Sequence, residues 1–180
     1  MSNGHPSPWV QRFLKEIPKS KGPILDLACG AGRHTRLLLA AGYDVWVVDR
    51  DADSLAALEQ MGATCFSIDL EQEDFEWPFE AEQFAGVIVT NYLHRPLMAS
   101  ILQSLSDQGV LIYETFATGN EKYGRPRNPD FLLQENELLN YFVCTKTEGW
   151  RQQCLAFEHT YVNQITEAIV QRICIRRLRE

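Results

Sequence analysis

The apolar residues of this chain follow two different spacings, and segments with a strand-type spacing alternate with segments with a helix-type spacing. Short apolar runs predict strands at residues 24–28, 45–49 and 63–69, and alternating patterns predict two more at about 152–161 and 167–178. Apolar residues spaced three and four apart predict helices at 8–18, 52–63, 95–105 and 134–142, and a further helix through 37–39 that stops at Gly42. Strands that alternate with helices predict one α/β domain, residues 1–180, built on a parallel sheet.

The segment 24–35, Ile-Leu-Asp-Leu-Ala-Cys-Gly-Ala-Gly-Arg-His-Thr, joins a strand to a helix through a glycine turn. Gly30 and Gly32 allow a tight turn and a close approach of backbone to a ligand. Backbone N–H groups and the positive end of the following helix then point at that ligand. Asp49 ends the next strand, 17 residues after Gly32, where a carboxylate accepts hydrogen bonds from a ribose diol. This arrangement predicts a pocket for a nucleoside cofactor.

Two common phosphate-binding patterns are absent. A dinucleotide fingerprint, G-x-G-x-x-G, needs a third glycine, and Thr35 stands at that position, which disfavours NAD and FAD. The chain also lacks G-x-x-x-x-G-K-[ST], the pattern of an ATP-binding P-loop. Because G-x-G alone is a weak signal, an ordinary glycine-rich turn between strand and helix is the alternative.

Residues 26–32, Asp-Leu-Ala-Cys-Gly-Ala-Gly, together with Asp49, resemble the first motif of class I S-adenosylmethionine-dependent methyltransferases. The resemblance extends over roughly residues 20–116 and implies S-adenosylmethionine as cofactor and S-adenosylhomocysteine as product. It places a fourth strand in 84–94 and a fifth in 109–116, preceded by the turn residues 106–109. It implies a Rossmann-like, doubly wound sheet of seven strands in the order 3-2-1-4-5-7-6, with strand 7 antiparallel and helices on both faces. The block 113–133 is similar to compact bacterial methyltransferases related to the tellurite-resistance group.

The same resemblance implies the residues of the site. The expected cofactor contacts are Asp26, Ala28, Gly30, Gly32, Asp49, Arg50, Asp69, Leu70 and Asn91, with Asp69 and Leu70 holding the adenine. The substrate-binding candidates follow strands four and five, where open α/β sheets bind ligands, and are Arg95, Glu114, Tyr123 and Arg125. Residues 117–130, here called the lid segment, are too long for a simple connection and are expected to cover the acceptor.

Methyl transfer from a sulfonium needs no metal ion and no covalent nucleophile. The protein has to position the acceptor, exclude water and remove any acceptor proton. His94 is the candidate general base, because histidine is the side chain that most often carries out proton transfer in enzymes, with capping of the following helix as the alternative. Tyr92 is expected to orient the acceptor or to pack over the adenine. Glu114 is expected to bind a substrate cation or to hold the lid segment through Arg125, and His34 is expected at the surface or the edge of the cofactor.

The net charge and the distribution of basic residues limit the partners that the chain is expected to bind. The formal net charge is −7, and basic residues cluster only at Arg125 with Arg127 and in a C-terminal group of Arg172, Arg176, Arg177 and Arg179. Proteins that bind nucleic acid usually carry a basic face, so nucleic acid is not favoured. The C-terminal arginines are expected on a solvated strand edge. Residues 91–94, Asn-Tyr-Leu-His, replace the Asn/Asp-Pro-Pro-aromatic element of amino-methylating DNA enzymes, which disfavours base methylation.

Five cysteines without a C-x-x-C pair disfavour a disulfide framework and a structural zinc site, and Cys29, Cys65 and Cys174 are expected to be buried. The absence of a membrane-length apolar run and of a secretory signal at residues 1–6 predicts a cytoplasmic protein. The leading hypothesis is a methyltransferase, monomer or homodimer, that acts on a small molecule. The alternatives are an RNA or protein methyltransferase that needs a partner for target binding, and a non-catalytic protein that binds the cofactor or its product.

Overall fold

The computed structural model describes residues 4–145, 147–163 and 166–180. The strands are β1 (Ile24–Leu27), β2 (Val45–Asp49), β3 (Thr64–Ser67), β4 (Phe84–Thr90), β5 (Leu105–Phe116), β6 (Trp150–Val162) and β7 (Ala168–Arg179). The α-helices are α1 (Pro8–Phe13), α2 (Arg33–Ala40), α3 (Ala52–Glu59), α4 (Met98–Ser104) and α5 (Glu137–Phe142). Short 3₁₀ turns lie at Leu14–Glu16, Arg95–Leu97, Asn120–Lys122 and Pro129–Phe131. Residues 1–3, 146, 164 and 165 lie outside the described residues, so part of the predicted turn between the last two strands is not described.

The seven strands form one sheet in the order β3-β2-β1-β4-β5-β7-β6. β1 to β5 pair in parallel, and β7 pairs antiparallel with both β5 and β6. The expected strand order and the antiparallel strand 7 are therefore confirmed. β1 is buried throughout and β4 over all but its last residue, since helices cover both faces of the sheet. The carboxyl ends of the parallel strands meet at one edge, where open α/β sheets bind ligands.

Two apolar layers flank the sheet. One includes Trp9 of α1, Leu38 of α2 and Leu58 of α3, and the other includes Met98 of α4 and Phe142 of α5. The burial expected for the cysteines holds for Cys29 and Cys174, whereas Cys65 is only partly buried. Among the helices of the described residues, none has the length and apolar character needed to cross a membrane.

β5 begins earlier than the sequence predicts. Residues 106–109 were expected to precede the strand, yet they belong to it. The pairing with β4 jumps from Leu105 opposite Phe84 to Val110 opposite Gly86, and Gln108 adopts a φ of 67°. The expected turn residues thus form a bulge, because they stand opposite a single residue of the neighbouring strand.

The expectation of a solvated strand edge for the C-terminal arginines is wrong, because β7 lies inside the sheet and β6 forms its edge. Arg177 is only 4% exposed, donates hydrogen bonds to the carbonyl oxygens of Gln103 and Leu105, and stacks 3.6 Å from the ring centroid of Trp150. Arg172 forms ion pairs with neighbouring carboxylates. Arg176 pairs with Glu16, and only Arg179 at the end of β7 stays largely exposed, at 60%. The charges on this strand are therefore mostly held by other protein groups.

Candidate active site

The glycine turn after β1 depends on left-handed backbone conformations. Ala28, Gly30 and Gly32 have φ angles of 54°, 53° and 73°. At Gly32 an added Cβ would lie 2.3 Å from Cδ2 of Leu58, a fully buried side chain of α3. Gly32 is therefore required both for the direction of the turn and for the packing of the turn against α3. At Gly30 an added Cβ would meet no atom within 4 Å, so only the backbone angle favours glycine there.

Asp49 links the glycine turn to the end of β2. One carboxylate oxygen accepts a hydrogen bond from the N–H of Gly30 at 2.8 Å, and the other accepts one from the N–H of Asp51 at 3.0 Å. Asp51 in turn caps α3, because its side chain accepts from the N–H groups of Asp53 and Ser54. The carboxylate of Asp49 is thus positioned by two neighbouring segments and stays at the carboxyl end of the sheet.

Asp26 lies behind the glycine turn. Its side chain is 1% exposed, and Oδ2 accepts a hydrogen bond from the hydroxyl of Thr35 at 2.6 Å. Burial raises the pKa of this carboxyl to about 6, although the bond from Thr35 opposes the shift. Thr35 stands at the position where a dinucleotide fingerprint has glycine, and its hydroxyl joins β1 to α2. Asp26 therefore supports the turn from inside the protein and lines neither of the two cavities described next.

The first cavity, here called the nucleoside cavity, has a volume of about 270 Å³ and lies at the ends of β1, β2 and β3. The structure brings together here five of the expected cofactor residues and Tyr92, and adds Ile68 and Glu71. The lining residues are Ala28, Asp49, Arg50, Ile68, Asp69, Leu70, Glu71 and Tyr92. The Tyr92 hydroxyl is buried without a hydrogen-bond partner among the described residues, and burial raises the pKa of this phenol above its ordinary value.

The second cavity, here called the acceptor cavity, has a volume of about 470 Å³ and lies beneath the start of the lid segment. It is assembled from the N-terminus, α2, the ends of β4 and β5, the lid segment and the β6–β7 hairpin. Its lining residues are Ser7, Pro8, Arg33, Asn91, Glu114, Phe116, Asn120, Tyr123, Gly124, Arg125, Val162, Thr166, Glu167, Ala168, Val170 and Arg172. Of the expected site residues, Asn91, Glu114, Tyr123 and Arg125 meet here.

Glu114 is held at the bottom of this assembly by partners that the sequence did not indicate. One carboxylate oxygen accepts a hydrogen bond from the Ser7 hydroxyl at 2.8 Å, and the other lies 3.3 Å from Nη1 of Arg172. Arg172 also pairs with Glu158 at 2.6 Å. The expectation that Glu114 holds the lid segment through Arg125 is therefore wrong, because the carboxylate binds the N-terminus and β7 instead.

The lid segment is fixed at its base and exposed at its tip. Asn120 is 1% exposed, its Oδ1 accepts the N–H of Ile169 at 3.2 Å, and its Nδ2 donates to the carbonyl of Pro126 at 3.4 Å. Tyr123 is 44% exposed and packs on Tyr161 at 5.2 Å between ring centroids. The lid segment therefore lines one side of the acceptor cavity and is anchored at Asn120.

Five of the expected site residues line neither cavity: Asp26, Gly30 and Gly32 of β1 and the glycine turn, and His94 and Arg95 after β4. Arg95 pairs with Glu137 at 2.6 Å and donates to the carbonyls of Asp130 and Leu132, so it fixes the end of the lid segment. His94 is half-buried and precedes the 3₁₀ turn at Arg95–Leu97, and its side chain makes no capping hydrogen bond to that turn. The helix-capping alternative for His94 is thus not observed.

The expectation of a surface position for His34 is wrong, because its side chain is 1% exposed. Nε2 accepts a hydrogen bond from the backbone N–H of Ser7 at 3.0 Å, and Nδ1 lies 3.3 Å from the hydroxyl of Thr90. Burial, with the charge of Arg33 nearby, lowers the pKa of His34 to about 3. The neutral ring therefore attaches the N-terminal segment, one wall of the acceptor cavity, to α2 and β4. The sequence places His34 in the first turn of a helix, but that position alone does not show whether its side chain is buried or exposed.

The comparisons with known proteins agree with this geometry. Residues 24–109 match a family model described as a methyltransferase domain. Over 67 residues the chain is 40% identical to the ribosomal RNA small subunit methyltransferase H of Novosphingobium aromaticivorans, covering 34% of this chain and 20% of that protein. Over 128 residues it is 25% identical to TehB of Haemophilus influenzae, a probable S-adenosyl-L-methionine-dependent methyltransferase, covering 66% of this chain and 44% of that protein. The chain thus spans less than half the length of either curated relative.

Solved structures extend the likeness over nearly the whole chain. The crystal structure of TehB from Haemophilus influenzae has a TM-score of 0.66 at 18% identity, covering 93% of this chain and 60% of that chain. A SAM-dependent methyltransferase from Methanosarcina mazei has a TM-score of 0.68 at 12% identity, covering 98% and 100%. At such identities the likeness establishes the fold, which is the expected one. The sheet order, the glycine-turn motif and the methyltransferase domain model that matches residues 24–109 are those of class I S-adenosylmethionine-dependent methyltransferases, and the chain is similar to TehB.

Proposed function

We propose that this protein transfers a methyl group from S-adenosylmethionine to a small-molecule acceptor bound in the acceptor cavity. The observation that carries the proposal is the position of two consecutive residues after β4. Asn91 lines the acceptor cavity, and Tyr92 lines the nucleoside cavity. Two ligands bound in these cavities therefore approach each other across one short loop, which suits an in-line displacement between them.

The residues of the nucleoside cavity fit the cofactor. Asp49 would accept hydrogen bonds from the ribose hydroxyls, and Asp69 with Leu70 would hold the adenine. The unpartnered hydroxyl of Tyr92 is a hydrogen-bonding group that a bound molecule would satisfy. Bound S-adenosylmethionine supplies the chemistry as an electrophilic methyl group on a sulfonium.

The residues of the acceptor cavity would supply orientation and exclusion of water. The lid segment covers one side of the cavity, and the N-terminal segment, attached through His34, covers another. Both oxygens of Glu114 already have partners in Ser7 and Arg172, so this carboxylate positions the cavity wall. Positioning alone is worth several orders of magnitude in rate when the reacting atoms are aligned.

Replacement of Asp49 tests the cofactor site. Asp49→Ala is expected to weaken binding of both S-adenosylmethionine and S-adenosylhomocysteine by roughly 1–3 kcal/mol, since the ribose loses a charged acceptor. Isothermal titration calorimetry measures the change. The matched control is Asp44→Ala, because Asp44 is exposed just before the opposite end of β2 and should leave both affinities unchanged. Equal affinities of all three proteins would remove Asp49 from the site.

Replacement of His94 tests the need for a general base. A positioned base contributes about 10²–10⁴ to turnover, and His94 is the candidate that the sequence indicates. Since His94 is not among the residues that line either cavity, we expect His94→Ala to keep turnover close to that of the parent protein. Release of S-adenosylhomocysteine measures turnover. A decrease in turnover by a factor of about 10²–10⁴ would instead identify His94 as the general base.

The same assay separates the proposed function from its alternatives. The protein is given S-adenosylmethionine with a set of small acceptors, and separately with RNA and with protein fractions. Turnover with small acceptors supports the proposal. Turnover confined to a macromolecule together with a partner protein supports the RNA or protein methyltransferase, and cofactor binding without turnover in any mixture supports a non-catalytic binding protein.

A further inference from the structure

The acceptor cavity has an apolar side. Phe116 at the end of β5 and Ala168 and Val170 of β7 line it, and the last two are 2% and 4% exposed. The ring of Tyr123 closes this side from the lid segment. An apolar wall of this kind favours a ligand that carries an aromatic or aliphatic body.

Three arginines also line the cavity, and the charge of one of them is already neutralised by carboxylates. Arg172 pairs with Glu114 and Glu158. Arg33 and Arg125 have no carboxylate within ion-pair distance among residues 4–145, 147–163 and 166–180. The other carboxylate that lines the cavity belongs to Glu167, which is exposed and accepts the hydroxyl of Tyr161 at 2.5 Å. The described wall therefore presents two guanidinium groups without carboxylate partners.

Arg33 is the more constrained of the two. It is half-buried at the first position of α2, and burial lowers its pKa because the charged form loses hydration. Among the described residues its guanidinium donates to two neutral acceptors, the carbonyl of His5 and the hydroxyl of Thr90, both at 3.3 Å. An arginine has five N–H donors, so further donors are available to an anion in the cavity.

We propose that the methyl acceptor is a small amphipathic anion, with a carboxylate bound by Arg33 and Arg125 and an apolar body packed against Phe116 and Val170. This inference rests on the proposed function, because it identifies the ligand class of the same cavity. Arginine binds carboxylates through paired, charge-assisted hydrogen bonds, which gives the acceptor one fixed orientation. The apolar contacts then determine the depth at which its body lies.

The probe is benzoate, compared with benzamide, which has nearly the same shape and no charge. Ligand-observed NMR titrations are carried out with S-adenosylhomocysteine present and absent. We expect benzoate to bind at least roughly tenfold more tightly than benzamide, and Arg33→Gln and Arg125→Gln each to reduce this preference. Arg127→Gln is the matched control, because Arg127 belongs to the same segment, is exposed, and does not line the cavity. Thermal unfolding verifies that each variant is folded.

Two results would overturn the inference. One is equal binding of benzoate and benzamide, or a preference that survives in both arginine variants. The other concerns the cofactor's own carboxylate. If Arg33→Gln weakens binding of S-adenosylhomocysteine but not of 5′-methylthioadenosine, which lacks the amino-acid group, and leaves the benzoate preference intact, then Arg33 serves the cofactor. Because these readouts are binding constants, an absence of turnover contradicts the proposed function without deciding the inference.

Discussion

Gly32→Ala is expected to lower the free energy of unfolding by about 2–5 kcal/mol. Two costs add at this position. The φ angle of 73° is left-handed, which costs a residue with a Cβ about 1–2 kcal/mol. The new Cβ would also lie 2.3 Å from Cδ2 of Leu58, and overpacking of a core typically costs about 1–3 kcal/mol. Chemical denaturation measures the change, and calorimetry should show that cofactor binding is lost with the displaced turn.

Gly30→Ala is the matched control. Its φ angle is also left-handed, at 53°, but an added Cβ would have open space around it. We therefore expect only the backbone cost of about 1–2 kcal/mol. On a Leu58→Ala background the added cost of Gly32→Ala should fall to that same value, because the clash has been removed. Equal costs at Gly30 and Gly32 would show that Leu58 moves aside freely and would contradict the packing argument.

The free energy of unfolding of Asp26→Asn is expected to increase relative to that of the parent protein as pH rises, by about 2 kcal/mol between pH 4 and pH 8. Burial raises the pKa of Asp26 from 3.8 to about 6, so the folded protein binds this proton more tightly than the unfolded chain does. In the parent protein the contribution of Asp26 to stability is therefore fully present below pH 3.8 and is lost as pH rises through about 6. Asparagine cannot ionise, so the variant escapes this loss.

His34 has the opposite dependence. Its pKa falls from 6.5 to about 3 on folding, so stability is lost as pH falls below 6.5. Between about pH 4 and pH 6 the two groups partly offset each other in the parent protein. Asp26→Asn should therefore show a steeper loss of stability in acid, and the double variant Asp26→Asn, His34→Gln a shallower one. Denaturant titrations at several pH values give the free energies, and parallel pH curves for the parent protein and Asp26→Asn would contradict the shifted pKa of Asp26.

Site residues that lie at or just after the end of a strand were predictable from the sequence. The glycine turn, the end of β2 at Asp49 and the residues Asp69 and Leu70 lie close to strand ends, and the parallel sheet then brings them to one edge. Hydrophobic periodicity located the strands because a buried strand must be apolar along most of its length. Residues 106–109 were predicted to form a turn before β5, but they form a bulge within it. Residues that favour turns also favour bulges, and the sequence does not show whether pairing with β4 continues on both sides of them.

The sequence by itself determined the class of fold and most of the nucleoside cavity, since both follow from motifs whose residues are near one another along the chain. Only the tertiary structure determined the acceptor cavity, because Ser7, Arg33, Asn120 and Arg172 come from separate segments and meet only when the sheet closes around them. Periodicity reports that a side chain faces inward or outward, but not which neighbour it will face. His34 was expected at the surface or the edge of the cofactor, but it is buried where it binds Ser7 of a distant segment. The arginines of β7 were expected in water, but Arg172 and Arg177 bind groups that other segments supply.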